Sequence, residues 1–208
     1  MRKLLIVAAY GAWLIPQAHA QSTVVLDNAR VRVVQPAGAS IPEMDHRPGV
    51  IVRLDTGEAS WADDVTRSAE SLALQAQSST PSEAARGFGR GIVIVEPKDA
   101  ATMPPPPSAT QPGGAQFTGM SFKPIFENDK VRVIRARMEA DAREGFHTHG
   151  SDTIVVHLSG GEIEDTANGR TIVNRWKPGD VEFESRGSSH SAHNISQPVD
   201  VVLVALKP

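Results

Sequence analysis

The sequence contains no cysteine, so no disulfide bond can hold the fold together. It also has no segment after its first 20 residues with the length and apolar character of a transmembrane helix. Basic residues are outnumbered, with 21 Lys and Arg against 24 Asp and Glu. This balance argues against nucleic acid or an anionic membrane surface as the partner. Stability must therefore come from a packed core, and 208 residues are enough to build one core or two.

The beginning of the chain has the pattern of a secretory signal peptide. Arg2 and Lys3 form a basic start, and residues 4–16 are mostly apolar but too short to span a bilayer. Ala18-His19-Ala20 matches a small-x-small cleavage site. We therefore predict a signal peptide over 1–20, a periplasmic or secreted protein, and no membrane attachment after cleavage; a retained membrane anchor is the alternative. Cleavage would reduce Lys and Arg from 21 to 19 and change the net charge from −3 to −5.

The two halves of the chain resemble each other. Three pairs of stretches match in the same order, namely 29–34 with 129–134, 51–58 with 155–162, and 91–95 with 200–204. Sequences rich in β-strand residues can look alike by chance. Three matches in one order favour internal duplication instead.

A proline-rich stretch separates the halves. The four consecutive prolines at 104–107 cannot continue a helix or a sheet and favour extended polyproline II. We therefore interpret 98–116 as a linker between a first domain at 21–97 and a second at 117–208. Residues 58–90 are polar and rich in Ala and Ser, and the pattern there does not distinguish strand from helix.

The second half reads as a series of short strands. Alternating or β-branched stretches are separated by turn signals such as Asn168-Gly169 and Pro178-Gly179. Many short strands at close spacing are typical of a β-sandwich or a β-barrel. The fold class predicted from this pattern is all-β.

Four of the seven histidines lie in two short stretches of the second half. His147 and His149 are one residue apart, so on an extended strand their side chains point to the same side. His190, on a later strand, can complete a facial three-nitrogen metal site. Imidazole is a good ligand for divalent Fe, Mn, Zn, Ni and Cu. The alternative is that these histidines are polar residues lining an empty barrel.

These stretches resemble the two motifs of the cupins, a family of small β-barrels. The first motif, Gly-x5-His-x-His-x(3,4)-Glu-x6-Gly, is matched at His147, His149 and Gly160, with Asp141 at its first glycine and Thr153 at its glutamate. The second, Gly-x5-Pro-x-Gly-x2-His-x3-Asn, is matched at Gly179, Gly187, His190 and Asn194, with Ser185 at its proline. The resemblance covers roughly 122–208. The first half reads as a degenerate second copy that keeps one histidine, His46, at the corresponding place.

The resemblance implies a jelly-roll (double-stranded β-helix) barrel, in two copies of which the first is degenerate. It implies His147, His149 and His190 as ligands of one divalent transition metal, and a small molecule bound inside the barrel. Where cupins are enzymes, a site of this kind suits a dioxygenase-like oxidation or an isomerisation of a small organic molecule. The alternatives are a non-enzymatic ligand- or metal-binding module and a structural or interaction protein. Either a monomer or a homodimer fits.

The glutamate missing at Thr153 raises the question of a replacement ligand. Asp152 can substitute only if the backbone shifts by one residue, because alternation otherwise points it the other way. We retain Asp152 as a weak candidate ligand and expect Thr153 to offer its hydroxyl to a bound water. His157 shares the parity of Thr153 and is a candidate partner of the ligands or proton acceptor; the alternative is a core histidine bonded to a neighbour.

The remaining polar and aromatic residues near the motifs receive simpler interpretations. We expect His193 at the surface or barrel rim, and we expect Asn194 to cap a turn through its side chain. Glu182 and Glu184 are expected to face solvent. Three aromatic residues are expected either to line a pocket or to pack in the core: Phe146, Trp176 and Phe183.

Overall fold

The computed structural model describes residues 23–36, 47–63, 91–99 and 116–208, which form thirteen β-strands and no helix. The strands are β1 (Thr23–Asp27), β2 (Val31–Gln35), β3 (Gly49–Arg53), β4 (Ala59–Ala62), β5 (Ile92–Pro97), β6 (Phe117–Glu127), β7 (Val131–Thr148), β8 (Thr153–His157), β9 (Gly161–Ala167), β10 (Arg170–Trp176), β11 (Val181–Glu184), β12 (Ser189–Asn194) and β13 (Val199–Leu206). Across the described ranges, no helix has the length and apolar character needed to cross a membrane. The predicted signal peptide, His46, most of 58–90 and most of the linker lie outside the described residues.

The first five strands form one antiparallel sheet in the order β1-β2-β5-β3-β4. Strands β3 and β5 are runs of valine and isoleucine that are buried on both faces. A continuous apolar run is the pattern expected for a strand that is covered on both sides. One face of this sheet packs on the second half of the chain, and the other carries a smaller cluster around Ile51 and Ile94.

The remaining strands form the second sheet, in the order β10-β9-β12-β7-β13-β8-β11, with β6 also paired to β7. All of its pairings are antiparallel. The 18-residue strand β7 pairs with β13 along Val131–Met138 and with β12 along 143–148. It therefore joins the β13-β8-β11 layer to the β12-β9-β10 layer. Two layers joined in this way form a jelly-roll barrel, and the prediction of an all-β barrel is confirmed.

The point where β7 passes from one layer to the other coincides with Asp141. This residue has a φ of 63°, in the left-handed region that strongly favours glycine and that Asp tolerates better than most residues. Asp141 stands at the position where the first cupin motif has its opening glycine. The substitution is therefore compatible with the conformation that the position requires.

The two sheets share one hydrophobic core. Buried valines, isoleucine and leucines from both halves pack together, including Val33, Val52 and Val95 of the first sheet. Val133 and Val204 are among their counterparts in the second sheet. All five of these side chains are fully buried. At about 25 cal/mol per Å² of apolar surface, this shared core is the main stabilising feature of a chain without disulfides.

The stretches that match in sequence occupy equivalent places in the two sheets. In the first sheet β5 lies between β2 and β3, and in the second sheet its counterpart β13 lies between β7 and β8. The cross-strand pairs correspond residue by residue: Val33–Val95 with Val133–Val204, Val52–Val93 with Val156–Val202, and Leu26–Val33 with Phe126–Val133. The Asn28 and Asn128 side chains also accept bonds from the backbone N–H groups two and three residues later. The two sheets thus share strand order and register over the matched stretches.

Gly57 allows the packing between the sheets to be tested. Its φ is +70°, and an added Cβ would lie 2.6 Å from Cδ1 of the buried Leu158. Gly169 has a similar φ of +73°, but a Cβ there meets nothing within 4 Å. We expect Gly57→Ala to lower the free energy of unfolding by about 1–3 kcal/mol more than Gly169→Ala, because both changes strain the backbone and only the first overpacks the core. Urea denaturation measures both losses, and equal losses would contradict the packing described.

Candidate metal centre

The second sheet encloses a cavity of about 270 Å³. Its wall is mainly apolar and includes Phe117, Met120, Phe122, Met138, Ile163, Trp176 and Leu203. The three motif histidines, His157 and four carboxylates are the ionisable side chains that line it. Every lining residue among those described belongs to the second half of the chain. The first sheet therefore supports the cavity from outside without contributing to its surface.

The structure brings His147, His149 and His190 together. His147 and His190 are opposite each other in the β7–β12 pairing, and His149 follows the end of β7. The ring centroids are 4.8 to 4.9 Å apart, and Nε2 of His149 lies 3.0 Å from Nε2 of His190. Two imidazole nitrogens bound at about 2.1 Å to one ion, at right angles, would be about 3.0 Å apart. The triplet can therefore hold a metal ion, and one ligand atom from each residue lies within 4.8 Å of the others.

Hydrogen bonds orient two of the three rings. Nδ1 of His147 lies 3.0 Å from the carbonyl oxygen of Gly145, which can only accept, so this nitrogen donates. Nδ1 of His190 lies 2.8 Å from Oδ1 of Asp165. A carboxylate or carbonyl on the far nitrogen of a metal-binding histidine fixes its tautomer and its ring orientation. In both residues Nε2 is then the nitrogen with a free lone pair.

Burial favours the neutral form of His149. Loss of solvent, together with the neighbouring His147 and His190, lowers the pKa of His149 to about 4. Neutral imidazole is the form that binds metals. At pH 7 His149 is thus in the neutral form that metal binding requires.

Four carboxylates lie in the same cavity: Glu144, Asp165, Glu182 and Glu184. Oε2 of Glu184 is 3.5 Å from Nδ1 of His149, and its Oε1 is 3.9 Å from Nε2 of His190. Oε1 of Glu144 is 3.5 Å from Nε2 of His147. Burial, together with the neighbouring Glu182 and Glu144, raises the pKa of Glu184 to about 8. Burial likewise raises the pKa of Glu144 and of Glu182.

The prediction that Glu182 and Glu184 face solvent is wrong. In the β8–β11 pairing Glu184 is opposite Thr153 and Glu182 is opposite Val155, and these four residues line the cavity. Phe183 faces the other way and packs against the shared core. Alternation correctly places Phe183 opposite the two glutamates, but it cannot say which face is the cavity. Thr153 is expected from the sequence to face inward, and a residue opposite it on the paired strand must face the same way. Knowing which strand pairs with it, and in which register, would have placed both glutamates in the cavity.

The weak candidate Asp152 is corrected by its contacts. Its Oδ2 forms an ion pair with Nε of Arg30 at 2.9 Å, and its Oδ1 accepts a bond from the backbone N–H of Arg186 at 2.8 Å. Asp152 does not line the cavity, because the strand alternation is not shifted at this point. Thr153 does line it, and its hydroxyl lies 3.4 Å from the carbonyl oxygen of Ser151. Asp152 thus connects the two halves of the chain.

His157 lines the same cavity and is 2% exposed. Its ring stacks on Trp176, with centroids 4.4 Å apart and an interplanar angle of 18°. Within the described part of the chain, neither of its ring nitrogens has a hydrogen-bond partner. The alternative of a core histidine bonded to a neighbour is therefore wrong, and a role toward a ligand stays a prediction. The expectation that Trp176 lines a pocket is confirmed, whereas Phe146 is 41% exposed.

The expectations for His193 and Asn194 agree with the structure. His193 lies outside the cavity lining and pairs with Asp141 at 2.6 Å and with Glu164 at 3.2 Å. Asn194 is fully buried, and its side-chain amide donates to three backbone carbonyls, among them that of Gln197. Its side-chain oxygen accepts from the backbone N–H of Ser196. Asn194 therefore holds the turn between β12 and β13.

No protein-family model and no curated protein matches the chain. Solved structures do match part of it. A cupin domain from Bordetella pertussis is 21% identical over 46% of this chain and 100% of that one, with a TM-score of 0.42. KdgF from Halomonas sp. is 19% identical over 43% and 80%, with a TM-score of 0.37. The DMSP lyase DddQ from Ruegeria pomeroyi is 22% identical over 42% and 47%, with a TM-score of 0.38.

These identities concern the fold and nothing beyond it. The fold is assigned independently of these identities. The second half has the strand order of a jelly roll, and both histidine stretches meet in one cavity. The resemblance noted in the sequence is confirmed at the level of the fold.

The buried His157 predicts a pH dependence of stability. Loss of solvent lowers the pKa of His157 to about 4, an effect that Asp180 partly opposes. Between pH 6.5 and pH 4 the unfolded chain then binds a proton that the folded metal-free protein does not. The contribution of His157 to stability is therefore complete above pH 6.5 and decreases as the pH falls toward 4.

Replacing His157 with Phe keeps a ring against Trp176 and removes this titration. From pH 7 to pH 5 we expect the wild type to lose about 2 kcal/mol of unfolding free energy relative to His157→Phe. Urea denaturation of both metal-free proteins at the two pH values measures the difference. A difference that stays constant across this range would show that His157 is not desolvated.

Proposed function

We propose that this protein, whose second half is a cupin-type barrel, binds one divalent transition-metal ion through His147, His149 and His190. The observation that carries the proposal is the 3.0 Å separation of the two Nε2 atoms of His149 and His190 in the cavity of the second sheet. The bonds of His147 to Gly145 and of His190 to Asp165 support it, since they leave Nε2 of each ring available. Nitrogen ligands favour Fe, Mn, Zn, Ni or Cu.

The cavity suits a small organic ligand. Apolar side chains form most of the wall, while the polar side chains are the histidines and the carboxylates. Three protein ligands on one side leave positions at which a bound ion would polarise an oxygen of such a ligand. The ring of Phe117 lies beside that of His147, with the ring centroids 5.4 Å apart. The reaction class that we propose is oxidation or isomerisation of a small organic molecule.

His157 and Thr153 are the residues we propose for contact with the ligand or with the proton that such a reaction moves. His157 offers two buried ring nitrogens beside the indole of Trp176. Burial keeps His157 neutral at pH 7. A neutral imidazole can accept a proton. Thr153 supplies a hydroxyl on the same wall.

A non-catalytic binding module is the second candidate. It is favoured by the first half of the chain, which contributes a sheet to the shared core and, among its described residues, none to the cavity. In this alternative the same histidines hold the ion, and a small ligand is bound without turnover. Metal-dependent conversion of any small organic acid or diketone in a substrate screen would exclude it.

We infer that the first half is an eroded copy of the second. The equivalent registers of β2-β5-β3 and β7-β13-β8 support this inference, because chance similarity of β-sequences does not preserve cross-strand pairs. The first copy covers the outer face of the barrel, which is consistent with a monomer. We also propose that the protein is exported, on the strength of the signal pattern in its first 20 residues.

The metal proposal predicts a definite stoichiometry. Protein purified without a histidine tag from metal-replete cells should contain about one equivalent of Fe, Mn, Ni, Cu or Zn by elemental analysis. The His147→Ala/His149→Ala variant should retain less than about a tenth of it, because two of the three nitrogen ligands are removed.

His193→Ala serves as the matched control, since His193 lies three residues after His190 but outside the cavity. It should keep the wild-type metal content. Metal that is sub-stoichiometric in the wild type and unchanged in the double variant would overturn the site. Loss of metal in His193→Ala alone would place the ion elsewhere.

A further inference from the structure

The three histidines have no carboxylate beside them at Thr153. This residue stands where the first cupin motif has a glutamate, and its hydroxyl cannot supply the charge that a carboxylate would. Three neutral imidazoles around a divalent ion leave a net charge of +2 on the ion and its ligands, and a charge in a mainly apolar cavity is costly unless it is paired. A carboxylate from elsewhere in the cavity would halve that charge.

The cross-strand partner of Thr153 is a glutamate. In the antiparallel β8–β11 pairing, Thr153 is directly opposite Glu184. Residues opposite each other in such a pair have Cβ atoms only about 4.5–5.5 Å apart and point to the same face. A carboxylate at Glu184 therefore reaches the space that a carboxylate at Thr153 would occupy. No shift of the backbone is needed, in contrast to the requirement for Asp152.

The side chain of Glu184 points at the histidines. Its two oxygens lie 3.5 Å from Nδ1 of His149 and 3.9 Å from Nε2 of His190. The side chain is only 17% exposed. The contact with Nε2 of His190 lies on the side of the ion, whereas Nδ1 of His149 is the nitrogen of that ring that faces away from it. Such a position is the one expected of a fourth ligand rather than of a surface acid.

The other three carboxylates of the cavity are less suited. Asp165 bonds Nδ1 of His190, the nitrogen that faces away from the ion site. Glu144 lies 3.5 Å from Nε2 of His147, but it belongs to β7 and is not opposite Thr153. Glu182 lies opposite Val155, one cross-strand pair on the same face away from Thr153. Glu184 is the carboxylate that contacts two of the three histidines.

We propose that Glu184 is the fourth protein ligand of the metal and that it replaces, from the neighbouring strand, the glutamate absent at Thr153. This inference rests on the proposed three-histidine site. It makes the centre a site of three nitrogens and one oxygen with a net charge of +1. The carboxylate would then come from β11 instead of β8, so the site would keep the same types of ligand although the motif lacks its glutamate.

The test uses Co²⁺ as the probe and the full-length metal-free protein. Competition with a chromophoric chelator gives the dissociation constant, and the visible absorption of bound Co²⁺ reports the ligand set. We expect Glu184→Gln to weaken binding by about 10- to 100-fold and to change the visible spectrum. Glu182→Gln, the matched control on the same strand and face, should stay within about threefold of the wild type.

A second variant distinguishes a ligand from a residue that merely shapes the cavity. Adding Thr153→Glu to Glu184→Gln should restore most of the lost affinity, because it returns a carboxylate to the opposite strand. Thermal unfolding of the metal-free variants verifies that each is folded. Wild-type affinity and spectrum in Glu184→Gln would overturn the inference, as would a loss confined to Glu144→Gln. Absence of Co²⁺ binding by the wild type would instead overturn the three-histidine site itself.

Discussion

The continuous pairing of β7 is the constraint on which the barrel and the site both depend. Its first part, Val131–Met138, pairs with β13 and carries valines of the shared core. Its last part pairs with β12 and sets His147 opposite His190. The bend between the two parts passes through the left-handed Asp141. Displacing this strand by one residue would turn the histidines out of the cavity and the valines out of the core.

Burial then determines the chemistry of the side chains that β7 and its neighbours enclose. Desolvation lowers the pKa of His149 to about 4 and raises that of Glu184 to about 8. Both residues are thus driven toward their neutral forms. Neutral imidazole is already suited to bind an ion, and a divalent ion would stabilise the ionised carboxylate that burial disfavours. The groups that line the cavity are therefore compatible with a bound cation.

Much of this arrangement follows from the sequence, and the exceptions have physical causes. Alternation places His147 and His149 on one side, and the spacing of the second stretch adds His190 and the turn at Asn194. The same rule correctly separates Asp152 from Thr153. It fails for Glu182 and Glu184, because alternation distinguishes two faces without identifying the cavity. That choice is made by the register of β8 on β11, which depends on packing across the sheet and has no local sequence signal.

The matched stretches show the opposite case, in which sequence similarity and structure agree in detail. Val33 pairs with Val95 in the first sheet, and the equivalent Val133 pairs with Val204 in the second. These valines are buried between the two sheets, where an apolar side chain is required, and they therefore occur in both halves. The first domain, 21–97, has a single histidine, His46. The similarity between the halves is therefore carried by the apolar core and not by the histidine site.

The most direct test of the central claim is a crystal structure of the metal-replete protein with X-ray data collected on both sides of the absorption edge of the bound metal. The account predicts one anomalous peak at about 2.0–2.2 Å from Nε2 of His147, His149 and His190. A peak at any other place, or no peak beside these three nitrogens in crystals grown with excess metal, would contradict it.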